Sequence, residues 1–278
     1  MWPARIVAAV SKVVANGIEL YYERRGRGPR LLFLNGSGSS IATSVPLIEL
    51  FANDFEVLVH DQRGLGRTEV PPGPYEMADY AADAAALLDC AGWDRAGVVG
   101  VSFGGMVAQE LAVTWPARIE RLALLCTSPG GVAGASYPLH ELATLSESDR
   151  SRQRTILLDT RFTPEWLAAH PSDRSLAEML TAGRATDKTS EQLRGEAEQL
   201  GARSRHDVSD RLRLITCPTL VASGTFDAIA PPVNGEAIAE RIDGARLRVY
   251  QGGHAFFAQD RAALPDVIGF LRGEDLSA

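Results

Sequence analysis

The runs RLLFLN, FEVLVH, AGVVGVS, RLALLCTS, CPTLVASG and RLRVYQG are short, nearly continuous in apolar residues and closed by Gly, Pro or Asp. A strand with one face in water alternates apolar and polar side chains, whereas one that is apolar throughout has both faces covered. Between the runs the period changes. Tyr80, Ala84, Leu87, Leu88 and Ala91 fall at i, i+4, i+7, i+8 and i+11 within residues 75–91, one stripe of an amphipathic helix. The segments from Phe103 to Thr114 and from Asn234 to Ile242 are similar. Strand and helix in alternation predict an α/β fold, a mostly parallel sheet of about eight strands with helices on both faces.

The chain ahead of these runs reads differently. KVVANGIELYYERRG places two β-rich stretches around Asn16-Gly17, a dipeptide suited to the positive φ angles of a type I′ turn, and predicts an opening hairpin. WPARIVAAV before it is apolar, but it is about half a membrane span long and lacks a clean small-residue cleavage site, so no targeting signal is expected. From Gly131 to Leu214 no buried-strand run occurs. The stretches PLHELATLSESDRSRQRTILLDTRF and SLAEMLTAGRATDKTSEQLRGEAEQL are polar and helical, with nearly balanced charge. Residues 131–214 therefore read as an inserted helical cap, and residues 1–130 with 215–278 as the core. VPPGPY (70–75) reads as a loop.

A chain of 278 residues, 45% hydrophobic and 23% charged, suits one large domain with such an insertion. Its net charge of −7, without a long Lys/Arg run, argues against a nucleic-acid or membrane partner and for a small molecule. Cys90, Cys126 and Cys217 lie far apart with no CxxC spacing, so no metal site and no disulfide framework are expected, and a reducing, cytoplasmic setting fits.

Chemistry concentrates where the apolar runs end. VVGVSFGG (98–105) turns from strand to helix with Ser102 at the apex and Gly100 and Gly104 on either side. Such an apex is strained, on the order of 1–3 kcal/mol, and a Cβ at either neighbour would clash across the turn. The pattern is the G-x-S-x-G nucleophile elbow, which lifts the hydroxyl clear of the sheet. A serine attacks only when a histidine takes its proton and a carboxylate fixes that histidine's tautomer. GTFDAIAPP puts Asp227 after the run CPTLVASG, and GGHAFF puts His254 after RLRVYQG, successive strand ends in an open sheet. His140, His170 and His206 lie in the insertion and His60 lies upstream of the serine. The alternative acid position, after RLALLC, offers only TSPGG.

An acyl-transfer site also needs donors for a developing oxyanion. The glycine-rich turn NGSG (35–38) directly follows RLLFL, so the main-chain N–H groups of Ser37 and Phe103 are the expected pair. Asn35 and Gly36 adjoin the expected substrate pocket. Trp166, with Phe162, Met179 and Leu180, could contribute from the cap, and Phe256 and Phe257 by proximity to His254; core packing explains such aromatics equally well.

Taken together, NGSG, HDQRGLGRT, GVSFGG, GTFDAIAPP and GGHAFF resemble the α/β-hydrolase superfamily in order and position along nearly the whole chain. Most members carry a histidine where this chain has Asn35. That departure, with GMVAQELA after the elbow and PPVNGEAIAERI after the acid, is similar to the 3-oxoadipate enol-lactonase and carboxylesterase branch. The resemblance implies a serine hydrolase of a small carboxylic ester or lactone, working through Ser102, His254 and Asp227 without metal or organic cofactor. It also implies that Asp61 and Arg63 are scaffolding. A carbon–carbon bond hydrolase, a cofactor-free perhydrolase or a ligand-sensing receptor could carry the same motifs.

Overall fold

The computed structural model describes residues 9–182 and 188–275. Residues 2–8 of the N-terminal stretch read for a targeting signal, and residues 183–187 of the insertion, lie outside them.

An antiparallel hairpin opens the chain. β1 (Ala9–Ala15) and β2 (Ile18–Arg25) meet at Asn16-Gly17, and both turn residues have positive φ, 48° and 79°, as a type I′ turn requires. Six strands follow: β3 (Arg30–Leu34), β4 (Glu56–His60), β5 (Ala96–Val101), β6 (Ile119–Leu125), β7 (Thr219–Gly224) and β8 (Arg246–Tyr250). They complete an eight-stranded sheet in the order β1-β2-β4-β3-β5-β6-β7-β8, parallel from β4 onward.

Alternate residues of the same strand feed two separate cores, which is why the central runs are apolar at every position. Leu32, Leu34, Leu58, Val98, Leu122, Leu124 and Val221 pack under α2 (Met77–Cys90), α3 (Phe103–Thr114) and α8 (Pro232–Ala239). Leu31, Phe33, Val57, Val59, Val99, Leu125 and Leu220 face the other way, under α1 (Ile41–Ala52) and α10 (Ala263–Arg272). The last strand departs from the expectation. RLRVYQG forms β8 at the sheet edge with only Tyr250 buried and Val249 exposed, because a strand with one neighbour has fewer helices to cover it.

Between β6 and β7 the described chain is helical: α4 (Glu147–Leu158), α5 (Pro164–Ala169), α6 (Pro171–Ala182) and α7 (Ser190–Ser204), with short 3₁₀ turns. Ser146 and Thr163 cap α4 and α5, and Thr189 with Gln192 forms a capping box on α7. Polar caps of this kind let helices with little apolar surface start at defined residues. No helix among the described residues is long and apolar enough to cross a membrane.

Candidate active site

The carboxyl ends of β3, β5, β7 and β8 open onto one edge of the sheet, and each delivers one part of the site. At the end of β5, Ser102 has φ 55° and ψ −115°, a backbone conformation that is costly for a residue with a side chain. Its own N–H donates to the Leu125 carbonyl (2.8 Å), and its carbonyl accepts from Thr127 Oγ1 (2.8 Å) and from the Gly105 N–H (2.9 Å). Close packing holds the turn from below. A Cβ on Gly104 would lie 2.0 Å from the Leu34 carbonyl oxygen, and one on Gly100 2.3 Å from the Gly104 carbonyl oxygen. These are backbone atoms that cannot swing aside.

The structure brings the three expected side chains into one hydrogen-bonded chain. His254 Nε2 lies 2.9 Å from Ser102 Oγ, and His254 Nδ1 lies 2.7 Å from Asp227 Oδ2. The second carboxylate oxygen, Oδ1, accepts from the N–H groups of Ile229 (2.8 Å) and Ala230 (2.9 Å). Asp227 is thus held from both ends, with its side chain fully buried while the imidazole keeps slight access to solvent. Three of the other histidines lie elsewhere in the fold. His60 and His206 are buried in the fold, and burial pushes both down to about 4. His170 stacks on Trp166 at the protein surface.

Ser37 and Gly36 stand beside the elbow. A Cβ on Gly36 would lie 3.6 Å from Ser102 Cβ, so this loop passes directly over the nucleophile position. The loop is pinned on both sides of Ser37: Gln62 Nε2 donates to the Asn35 carbonyl (3.1 Å), and the Gly38 N–H donates to Gln199 Oε1 (2.7 Å). Gln199 Nε2 closes the circuit by donating to Gln62 Oε1 (2.9 Å). No hydrogen bond among the described residues occupies the N–H of Ser37 or of Phe103. Asn35 Nδ2 and Ser37 Oγ are buried without a partner.

The insertion touches the site at two places that sequence patterns do not reveal. Through Gln199, α7 reaches the loop after β3. The end of α4 meets the His254 loop: the His254 N–H donates to the Leu158 carbonyl, and buried Asp159 accepts from Gln259 Nε2 (2.9 Å), whose Oε1 accepts the Gly253 N–H (2.8 Å). Arg161 neutralises Asp159 and lies over the Phe226 ring, 4.0 Å from its centroid.

The side chains expected at the pocket have the following neighbours. Phe256 is fully buried in the α1/α10 core and stacks on Tyr250 with centroids 5.3 Å apart; Phe257 packs edge-on against it. Adjacency to His254 in sequence here reflects the helical turn α9 (Phe256–Gln259) folding back under the sheet. Trp166 donates from Nε1 to Asp173 (2.7 Å) and stacks on His170, partners that belong to the insertion itself. Met179 points outward, 61% exposed, while Phe162 is buried. Asp61 accepts the N–H groups of Ile41 (2.6 Å) and Arg67 (2.9 Å), and Arg63 makes a two-pronged pair with buried Asp83, both bonds 2.7 Å. Those contacts tie loops and helices together, and none involves the Ser102 chain.

Comparison with known proteins places the chain in a family. The chain is 30% identical to a poly(3-hydroxyalkanoate) depolymerase of Ectopseudomonas oleovorans over 246 residues, 88% of this chain and 84% of that protein. It is 27% identical to 3-oxoadipate enol-lactonase 2 of Acinetobacter baylyi over 246 residues, 87% and 88% of the two chains. Among solved structures, the enol-lactonase from Burkholderia xenovorans LB400 superposes with a TM-score of 0.77 at 26% identity, covering 94% of this chain and all of that one. The family model described as alpha/beta hydrolase fold matches residues 29–260, and the chain belongs to that family of hydrolases.

Proposed function

We propose that the protein hydrolyses a carboxylic ester or lactone of a small organic molecule through an acyl-enzyme on Ser102. The observation that carries this reading is the chain Asp227–His254–Ser102, with bonds of 2.7 and 2.9 Å, at a strained elbow beside two main-chain N–H groups. His254 Nε2 takes the Ser102 proton as Oγ attacks the carbonyl carbon. The N–H groups of Ser37 and Phe103 hold the oxygen that becomes negative. His254 then protonates the leaving alkoxide, and a water activated by the same nitrogen releases the acid. Asp227 keeps Nδ1–H pointing at itself, which leaves Nε2 free to accept. The names of the relatives, a depolymerase and an enol-lactonase, support a substrate with an acyl C–O bond. Residues 131–214 serve as the cap over this site, and three free thiols support a cytoplasmic setting.

The test is turnover of short 4-nitrophenyl esters and small lactones by the native chain and by Ser102→Ala, with fluorophosphonate labelling located by mass spectrometry. Multiple turnover lost in Ser102→Ala, with the label on Ser102, is the expected result. A single stoichiometric burst, or a variant as active as the native enzyme, would sink the reading.

A further inference from the structure

The inner face of α7 carries a charge, on Arg203, that forms no ion pair among the described residues. Gln199, Ala202 and Arg203 lie buried there at i, i+3 and i+4. In the sheet, β5 with its Ser102 lies between β3 and β6, and α7 reaches the chain after each of these two strands. On the β3 side Gln199 accepts the Gly38 N–H. Toward β7, Arg203 Nη1 donates to the Tyr137 carbonyl (2.7 Å), and the Tyr137 N–H donates to the carbonyl of Ile229 (2.8 Å), two residues past Asp227. Arg203 therefore lies on the buried side of the insertion, within electrostatic reach of Asp227.

Arg203 is only 5% exposed, yet its Nε and Nη2 have no hydrogen-bond partner among the described residues, and it belongs to no ion pair there. Asp227, whose charge it feels, is already committed: Oδ2 to His254, Oδ1 to two main-chain N–H groups. Burial lowers the guanidinium to about 10, so it stays protonated at neutral pH. A buried cation without a hydrogen-bonded anion pays a desolvation penalty, which the Tyr137 carbonyl and the field of Asp227 offset only in part. Nε and Nη2 form the edge of a guanidinium that grips a carboxylate with two parallel bonds, as Arg161 grips Asp159 elsewhere in this chain.

We propose that Arg203 binds a carboxylate carried by the substrate, so that the preferred class is an ester or lactone bearing a second, ionised acid group. The proposal rests on the hydrolase reading of the same site.

Two matched series test it, because the position of the acid group relative to the scissile bond differs between them. In one, 4-nitrophenyl half-esters of succinic, glutaric and adipic acid are compared with 4-nitrophenyl esters of neutral acids of equal chain length. In the other, 3-carboxyphenyl acetate is compared with 3-methylphenyl acetate. The readout is the ratio of kcat/KM for the charged ester to that for its neutral partner. In at least one series the native enzyme favours the charged ester, and the ratio falls about 10- to 100-fold in Arg203→Gln and Arg203→Met, as loss of charged hydrogen bonds implies. A ratio near one in both series for the native enzyme overturns the proposal. So does a variant that slows charged and neutral esters equally, the behaviour of a brace for Tyr137 or of a field acting on Asp227.

Should the variants fail to fold, inhibition of the native enzyme by glutarate monoamide against neutral glutaramide decides instead: selective inhibition by the charged compound supports Arg203, and equal inhibition refutes it. Failure of the hydrolase reading registers separately, as absent turnover of the neutral esters. In that case calorimetric binding of glutarate monoamide to Ser102→Ala, and its loss on adding Arg203→Gln, still reports on Arg203; no difference between the two refutes it.

Discussion

Asp227→Asn is the most informative single change, because the structure predicts which way the new amide will point. Oδ1 accepts two main-chain N–H groups, from Ile229 and Ala230, so the amide must keep its carbonyl oxygen there or leave both donors buried and unpaired. The NH2 group then takes the place of Oδ2, 2.7 Å from His254 Nδ1. A donor now faces Nδ1, which can only answer by losing its proton. The imidazole becomes the Nε2–H tautomer, and Nε2, 2.9 Å from Ser102 Oγ, donates to the hydroxyl it should deprotonate. By analogy with other acids that fix a tautomer, turnover falls by about four orders of magnitude, close to 5 kcal/mol of transition-state stabilisation. The assay is the initial rate on a 4-nitrophenyl ester, alongside the rate of fluorophosphonate labelling, which needs the same proton transfer. Both rates should fall together while the melting temperature changes little. A loss below tenfold would mean that the amide flips or that another carboxylate orients His254, and the reasoning would be wrong.

Ser37→Ala should retain most activity, since the proposed oxyanion donor is its backbone N–H, and stability should shift by less than about 1 kcal/mol because the buried hydroxyl has no partner to lose; a turnover loss matching that of Ser102→Ala would contradict the assignment. Gly104→Ala forces a Cβ to 2.0 Å from the Leu34 carbonyl oxygen, so a denaturant titration should show a loss of about 1–3 kcal/mol or more, with slowed fluorophosphonate labelling. Stability also has a histidine signature. His60 and His206 drop from 6.5 to about 4 on folding, so between those pH values the unfolded chain binds more protons than the folded one and stability falls as pH falls. His60→Gln should flatten that slope by up to about 1.4 kcal/mol per pH unit relative to the native chain, as measured by urea unfolding at several pH values; an unchanged slope would place the protonation elsewhere.

How far a sequence reaches depends on whether a residue's role is set locally or by docking. The central strands are legible because both faces of Val57–Val59 or Leu122–Leu125 must be apolar, and the positions of Ser102, Asp227 and His254 are legible because strand ends in a parallel sheet face one way. β8 is misread as fully buried although Arg246 and Arg248 interrupt its Leu, Val and Tyr, the mark of a strand at the sheet edge. Phe256 is misplaced because a helical turn right after His254 rotates it beneath the sheet. Gln199 and Arg203 are invisible for a different reason. The α7 sequence SEQLRGEAEQLGARS is polar all round, and only its docking on the segments after β3 and β6 decides which polar groups turn inward.

The hydrogen-only gap at Gly104 sets a mechanical condition on the whole site. The first turn of α3 rests against the last carbonyls of β3, so the platform bearing the attacking oxygen and the loop bearing Ser37 share one hard stop. Neither can shift without dragging the other. On the proposed reading, variation in what is accepted enters through the insertion, whose α7 side chains can change length without altering the spacing of Ser102 and Ser37.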